Sequence, residues 1–219
     1  MSARTAILDR VRHAQRTGRI PVQQGEAVQQ GGAALSGPPT RGPERPAPPP
    51  PLIERFRGEL AALGVESFVE SSPDAVRERV KAIVGTRRVL AWDARHLPYD
   101  IDRVFIGPAR GSNTRDVQAA AEIGVTGCDA AIAETGSLVL LSGEGKARTA
   151  SLLPPVHLAI VRETDLRGTM AEFFRERAAD IAGAACCTFV TGPSRTADIE
   201  LTLTVGVHGP GQVIVVIGP

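Results

Sequence analysis

Apolar positions along the chain follow two periods. Between residues 52 and 63 they recur at helical spacing (Leu52, Ile53, Phe56, Leu60, Leu63), and Gly64 supplies the stop. VESFVE at 65–70 then reads as a strand. Ser72 followed by Pro73 has the form of an N-cap and a first helical position. Val76, Val80, Ile83 and Val84 form the stripe behind it, and Gly85 is the terminator. The runs RVLAW at 88–92 and RVFI at 103–106 are expected as short strands. The Gly-rich loop GPARGSN should lead through a Ser112 or Asn113 cap into a helix that ends at Gly124.

Beyond Cys128 the pattern changes. AAIAE and SLVLLS are apolar runs joined at Thr135 and Gly136, which is hairpin spacing. VHLAIV is a further buried strand. GTMAEFFRERAADIAG is expected as one amphipathic helix with Met170, Phe173, Phe174, Ala178 and Ile181 inward. CCTFVT follows as a strand, a helix is expected to start at Thr196 or Ala197, and QVIVVIG carries the strongest strand signal. Continuous apolar strands alternating with amphipathic helices imply an α/β fold with a largely parallel sheet covered on both faces.

The N-terminal part differs in kind. Ile7, Leu8 and Val11 have the spacing of a short helix, but Gly25 to Pro51 is crowded with Gly, Pro and Gln and cannot bury enough apolar surface to order itself. The expected organisation is a basic, then Gly/Pro-rich flexible arm at 1–51 and one folded domain at 52–219. With 219 residues, 42% of them hydrophobic, the chain can build one sizeable core. The net charge of +1 conceals an asymmetry, because residues 1–50 hold seven Arg against three acids and the remainder is mildly acidic. That balance, with 4% aromatics and lysines only at Lys81 and Lys146, argues against nucleic-acid binding. No run reaches membrane-spanning length and the arginine-studded start lacks the apolar core of a secretion signal, so a cytoplasmic protein without membrane attachment is expected. Cys128, Cys186 and Cys187 have neither disulfide-framework nor metal spacing and read as reduced packing residues.

Three polar clusters follow apolar runs, the position where doubly covered sheets hold ligands. In the first, Glu134 and Thr135 end a strand and Gly136 permits close backbone approach. Glu134 is a candidate nucleophile or base, with Asp129 nearby; the plain alternative is a hairpin turn with Glu134 paired to an arginine. In the second, Lys146 and Arg148 sit in a flexible loop suited to an anion, and His157 opens a strand, where a structural histidine is the commoner outcome. In the third, Gly192, Pro193, Ser194, Arg195 and Thr196 lead towards the expected helix N-terminus, an arrangement that binds carboxylate or phosphate. Asp198 and Glu200 would equally stabilise that helix by themselves, and His208 closes the cluster. His157, Asp198, Glu200 and His208 are conceivable metal ligands, but no specific metal spacing is present and no metal is expected. GxGxxG, Walker and GxSxG motifs are lacking, and the cofactor stays open.

GVTGCDAAIAETGSLVLLS at 124–142, SLLPPVHLAIV at 151–161 and GPSRTADIELTLTVGVHGPG at 192–211, in that order, resemble the signature blocks of the lactate-utilisation (LUD) family. The resemblance extends more weakly from Leu52 to the end and does not cover the arm. It implies a three-layer α/β/α fold similar to the NagB/RpiA/CoA-transferase-like group. It also implies a role with iron–sulfur partner proteins, the A and B types of lactate-utilisation protein, in oxidising L-lactate to pyruvate. The cluster-binding cysteine motifs belong to those partners. Carried over by position, the family blocks point to Glu134, Thr135, Gly136, His157, Ser194, Arg195, Thr196, Asp198, Glu200 and His208 as a cleft for a small anionic ligand. Cys128 stands where many relatives have a small residue. On this reading the chain is an accessory subunit rather than a stand-alone enzyme. The alternatives are an independent CoA-transferase or sugar-phosphate-isomerase-like enzyme using Glu134, and a ligand-binding regulatory module. A homodimer is the default oligomer.

Overall fold

The computed structural model describes residues 50–196 and 204–219, so the N-terminal arm and its expected helix lie outside the described residues. Helix α1 (Leu52–Ala62) buries Phe56 and Leu60, and the strand β1 (Glu66–Val69) follows. Helix α2 (Pro73–Val84) starts where the Ser72 side chain accepts the Ala75 N–H, buries Val76, Val80 and Val84, and ends at Gly85. The strand β2 (Val89–Ala91) comes next.

Here two expectations give way. RVFI forms no strand. The chain instead turns through 3-10 geometry over Pro98–Val104, with Tyr99 and Asp100 at φ of 60° and 52°, and Ile106 is fully exposed. The partner along the edge of β2 is Ala109, whose N–H and carbonyl bond Val89 and Ala91. The helix expected to reach Gly124 is only α3 (Arg115–Ala119), and Gly124 lies within β3 (Ile123–Thr126). The missing side chain at Gly124 serves packing, not helix termination: a Cβ there would fall 1.7 Å from the Ala150 carbonyl oxygen.

The hairpin is as expected, with β4 (Ala130–Ile132) antiparallel to β5 (Ser137–Ser142). After a 3-10 turn at Arg148–Ser151 come β6 (Val156–Arg162) and the short β7 (Leu166–Arg167). The single helix expected over 168–183 is two. Helix α4 (Met170–Glu176) begins at a Thr169/Glu172 capping box, and α5 (Ala178–Gly183) follows a break where Arg177 turns towards the Asp129 carbonyl, 3.4 Å away. Of the residues expected inward on that helix, Phe173 is buried while Phe174 is half-exposed and Ala178 is exposed. The remaining strands are β8 (Cys186–Val190), β9 (Arg195–Thr196), β10 (Thr204–Val205) and β11 (Gln212–Gly218).

The central sheet has the order β1-β11-β6-β3-β2, and every pairing in it is parallel. A second sheet, β7-β4-β5-β8, pairs mainly antiparallel. Alternate residues of the central strands feed two cores, as the period of two requires. Leu158, Ile160, Ile214 and Val216 pack with Val76, Val80 and Val84 of α2 on one side. Ala159, Val161, Val213, Val215 and Ile217 pack with Phe56 and Leu60 of α1 and with Ala131 and Leu138 of the second sheet on the other. The chain is thus mixed α/β with a largely parallel central sheet.

Candidate functional site

In an open parallel sheet the strands' carboxyl ends leave a crevice where loops diverge, and ligands collect there. β2, β3 and β6 lie side by side, and the residues at or just past their ends converge on one cleft of about 180 Å³. Trp92 follows β2, Cys128 and Asp129 follow β3, and Arg162 is the last residue of β6. Lys146 reaches in from the turn after β5, and His96 from the 3-10 turn Ala94–His96. The space is smaller than the roughly 300–1,000 Å³ of drug-sized pockets and suits a small organic acid better than a dinucleotide. A shallower depression of about 420 Å³ shares His96, Asp129 and Lys146 with it.

Charge in the cleft is arranged in fixed pairs. Asp129 is held through both oxygens, one by the Lys146 ammonium and the other by the Leu141 N–H at 2.8 Å. Lys146 also lies over the Trp92 ring, 5.1 Å from its centroid, and the indole N–H bonds the Ala147 carbonyl at 3.2 Å. These contacts fix the ammonium in place, which lowers the ordering cost of any anion it meets. Arg162 gives Nε and Nη2 to Asp165, and the second carboxylate wall is formed in this way. Its Nη1 has no hydrogen bond among the described residues. Cys128 is buried, donates to the Ala130 carbonyl at 2.7 Å, and burial pushes its thiol up to about 12, so it packs the floor as a neutral thiol and is no nucleophile at neutral pH.

Of the residues expected at the site from sequence, Asp129 and Lys146 line this cleft, and the others lie outside its lining. Among the described residues Glu134 pairs with no arginine: its Oε1 accepts the Met170 N–H at 2.6 Å and so caps α4. Thr135 donates to Ser137, whose hydroxyl bonds that of Thr191. Gly136 has a φ of 65°, and what approaches its missing side chain is the backbone of α1 at Glu59 and Leu60, about 3.1 Å from where a Cβ would sit. Arg148 is exposed on its 3-10 turn. His157 is fully buried, with Nε2 2.9 Å from the Thr126 hydroxyl and Nδ1 unpartnered, and burial pushes its pKa down to about 4.

The third cluster corrects a specific expectation. Thr196 is paired with Thr204 across an antiparallel ladder, so the 192–196 turn leads into a strand and Thr196 starts no helix; the alternative start at Ala197 lies outside the described residues. Ser194 exchanges backbone bonds with Pro210 and Gly206. Arg195 is exposed and donates to the Leu63 carbonyl at 2.6 Å, at the C-terminal end of α1. His208 is exposed, and Asp198 and Glu200 lie outside the described residues.

Trp92, Arg95, His96, Arg162 and Asp165 also line the cleft and are not among the residues expected from sequence. The sequence carries a signal for part of this set: DARH at 93–96 is a polar cluster immediately after the apolar run RVLAW, the pattern that the other three clusters share. Among the described residues no group of three or more His, Cys, Asp or Glu is placed to hold a metal ion, and no helix is long and apolar enough to cross a membrane.

Comparison with known proteins adds the following. The family model described as LUD domain matches residues 53–217. Lactate utilization protein C of Macrococcus caseolyticus is 33% identical over 172 residues, which is 73% of this chain and 74% of that protein. Lactate utilization protein C of Bacillus subtilis is 32% identical, over 63% of this chain and 64% of that protein. Among solved structures, a DUF162 family protein from Deinococcus radiodurans superposes with a TM-score of 0.62 at 23% identity, covering 77% of this chain and 96% of its own, a likeness of fold.

Proposed function

The chain belongs to the LUD domain family, and from that premise we propose that it is an accessory component of a lactate-utilisation system, working with iron–sulfur partner proteins in the oxidation of L-lactate to pyruvate and binding a small carboxylate in the Trp92–Lys146–Arg162 cleft. Relatives named lactate utilization protein C at 31–46% identity support the lactate-utilisation role. The observation that carries the binding role is the cleft itself. It lies beyond the carboxyl ends of three adjacent parallel strands, has the size of a small acid, and presents Lys146 and Arg162 from fixed positions. A carboxylate there would complete the donor capacity of two cations already held by Asp129 and Asp165, and a bidentate contact to a guanidinium suits that group.

The chain's own residues supply cations and a histidine but no recognised redox motif, so the electron-transfer step belongs to the partners in this reading. Reconstitution tests it. Lactate-dependent reduction of an electron acceptor is measured with the iron–sulfur proteins in the presence and absence of this chain. The expected result is a rate that requires the chain, together with its retention on a tagged partner. Equal rates with and without it, or full turnover by the chain alone, contradict the proposal.

A further inference from the structure

His96 is the one imidazole among the described residues that line the cleft, and its two ring nitrogens are partnered differently. Nε2 lies 3.0 Å from the Glu144 carbonyl oxygen. A carbonyl can only accept, so Nε2 carries the hydrogen, and in the neutral ring Nδ1 holds the lone pair. Nδ1 has no hydrogen-bond partner among the described residues. The backbone holds the ring from both ends of its segment: the His96 N–H bonds the Asp93 carbonyl, and the Asp93 N–H bonds the Gly145 carbonyl at 2.9 Å. Gly145 itself has no room for a side chain, because a Cβ would meet the His96 ring at 3.0 Å. A half-buried imidazole with one nitrogen tied to a carbonyl and the other free, in a cleft with a fixed ammonium, is the arrangement of an oriented general base.

We infer that His96 is the proton-transfer residue of this cleft and acts on a small 2-oxo acid whose carboxylate is bound by Arg162 and whose carbonyl oxygen is met by Lys146. This rests on the carboxylate-binding reading above and adds a chemical step to it. Nδ1 takes a proton from the carbon next to the carbonyl. The C–H electron pair moves into the carbon–carbon bond, and the carbonyl π pair moves onto oxygen beside the Lys146 ammonium. The imidazolium exchanges its proton with solvent and returns one to the same carbon. Nothing is oxidised or reduced, no bond other than C–H is broken for good, and no co-reactant is needed.

The test uses the isolated full chain in D2O with pyruvate, the smallest acid of this class, as the probe. Proton NMR follows deuterium entering the methyl group, and line broadening of pyruvate reports binding separately. The wild type is expected to accelerate exchange over free imidazole at the same concentration. His96→Gln keeps a donor for the Glu144 carbonyl but has no base in the place of Nδ1. It should bind pyruvate as the wild type does and exchange about a hundredfold more slowly. A second measurement is independent of the variant's folding: in protein labelled with 15N-histidine, the His96 ring resonances should move on adding pyruvate, while those of His157 should not. Binding without exchange, or equal exchange by His96→Gln, overturns the inference and leaves the binding reading in place. Absence of saturable pyruvate binding overturns both.

Discussion

At the scale of single residues, two groups look alike in sequence and differ in surroundings. His96 sits at a cleft with Nδ1 unpartnered among the described residues, whereas His157 is a neutral core residue whose second nitrogen is unpartnered. Burial holds His157 near 4, well below the roughly 6.5 of an unfolded histidine. The unfolded chain therefore binds the extra proton between these values. The neutral site's contribution is complete above about pH 6.5 and is lost as pH falls towards 4, about 2 kcal/mol between pH 7 and 5. Urea unfolding at the two pH values should show this loss in the wild type and a shallower one in His157→Gln; equal losses would contradict the account. Glu134 makes a second case. Its carboxylate caps α4 through the Met170 N–H, so Glu134→Ala should lower unfolding free energy by about 1 kcal/mol, and Glu134→Gln, which keeps an acceptor, by only a few tenths. A large loss of stability in the Gln variant would show that its charge does more than cap.

Among the elements, those with a local cause were legible and those with a distant one were not. Ser72-Pro73 and the valine stripe behind it determine α2 almost unaided, and the buried run QVIVVIG gives β11. Gly124 has the sequence context of a helix end, because a glycine after an apolar helix usually is one. Its actual role is to let β3 pass against the Ala150 carbonyl, a contact between residues 26 apart that no local pattern records. Gly124→Ala should accordingly cost about 1–3 kcal/mol, seen as a lower urea midpoint, since the new methyl must displace a backbone turn. A variant as stable as the wild type would mean that the turn yields freely. The same limit applies to the site. Glu134, His157 and Arg195 all stand out in sequence as polar groups beside apolar runs, but one caps a helix, one is sealed in the core and one holds the end of α1. Only the parallel order β6-β3-β2 brings Trp92, Asp129 and Arg162 together, and that order is not written in any single segment.

At the scale of the whole molecule, the described residues place one cleft with fixed cations where an α/β sheet holds its ligands, in a chain related to lactate utilization proteins C. The cations there are neutralised by Asp129, Asp165 and Glu144, so affinity should come from placement and directed hydrogen bonds more than from long-range attraction. On the proposed function this cleft, and not the polar turn at 192–196, takes the small carboxylate. Isothermal titration of pyruvate into the wild type, Arg162→Gln and Arg195→Ala tests it directly. Saturable binding is expected in the wild type and Arg195→Ala, and binding at least about tenfold weaker in Arg162→Gln, the scale of one charge-assisted hydrogen bond. Affinity lost in Arg195→Ala and kept in Arg162→Gln would contradict it and put the ligand at the 192–196 turn.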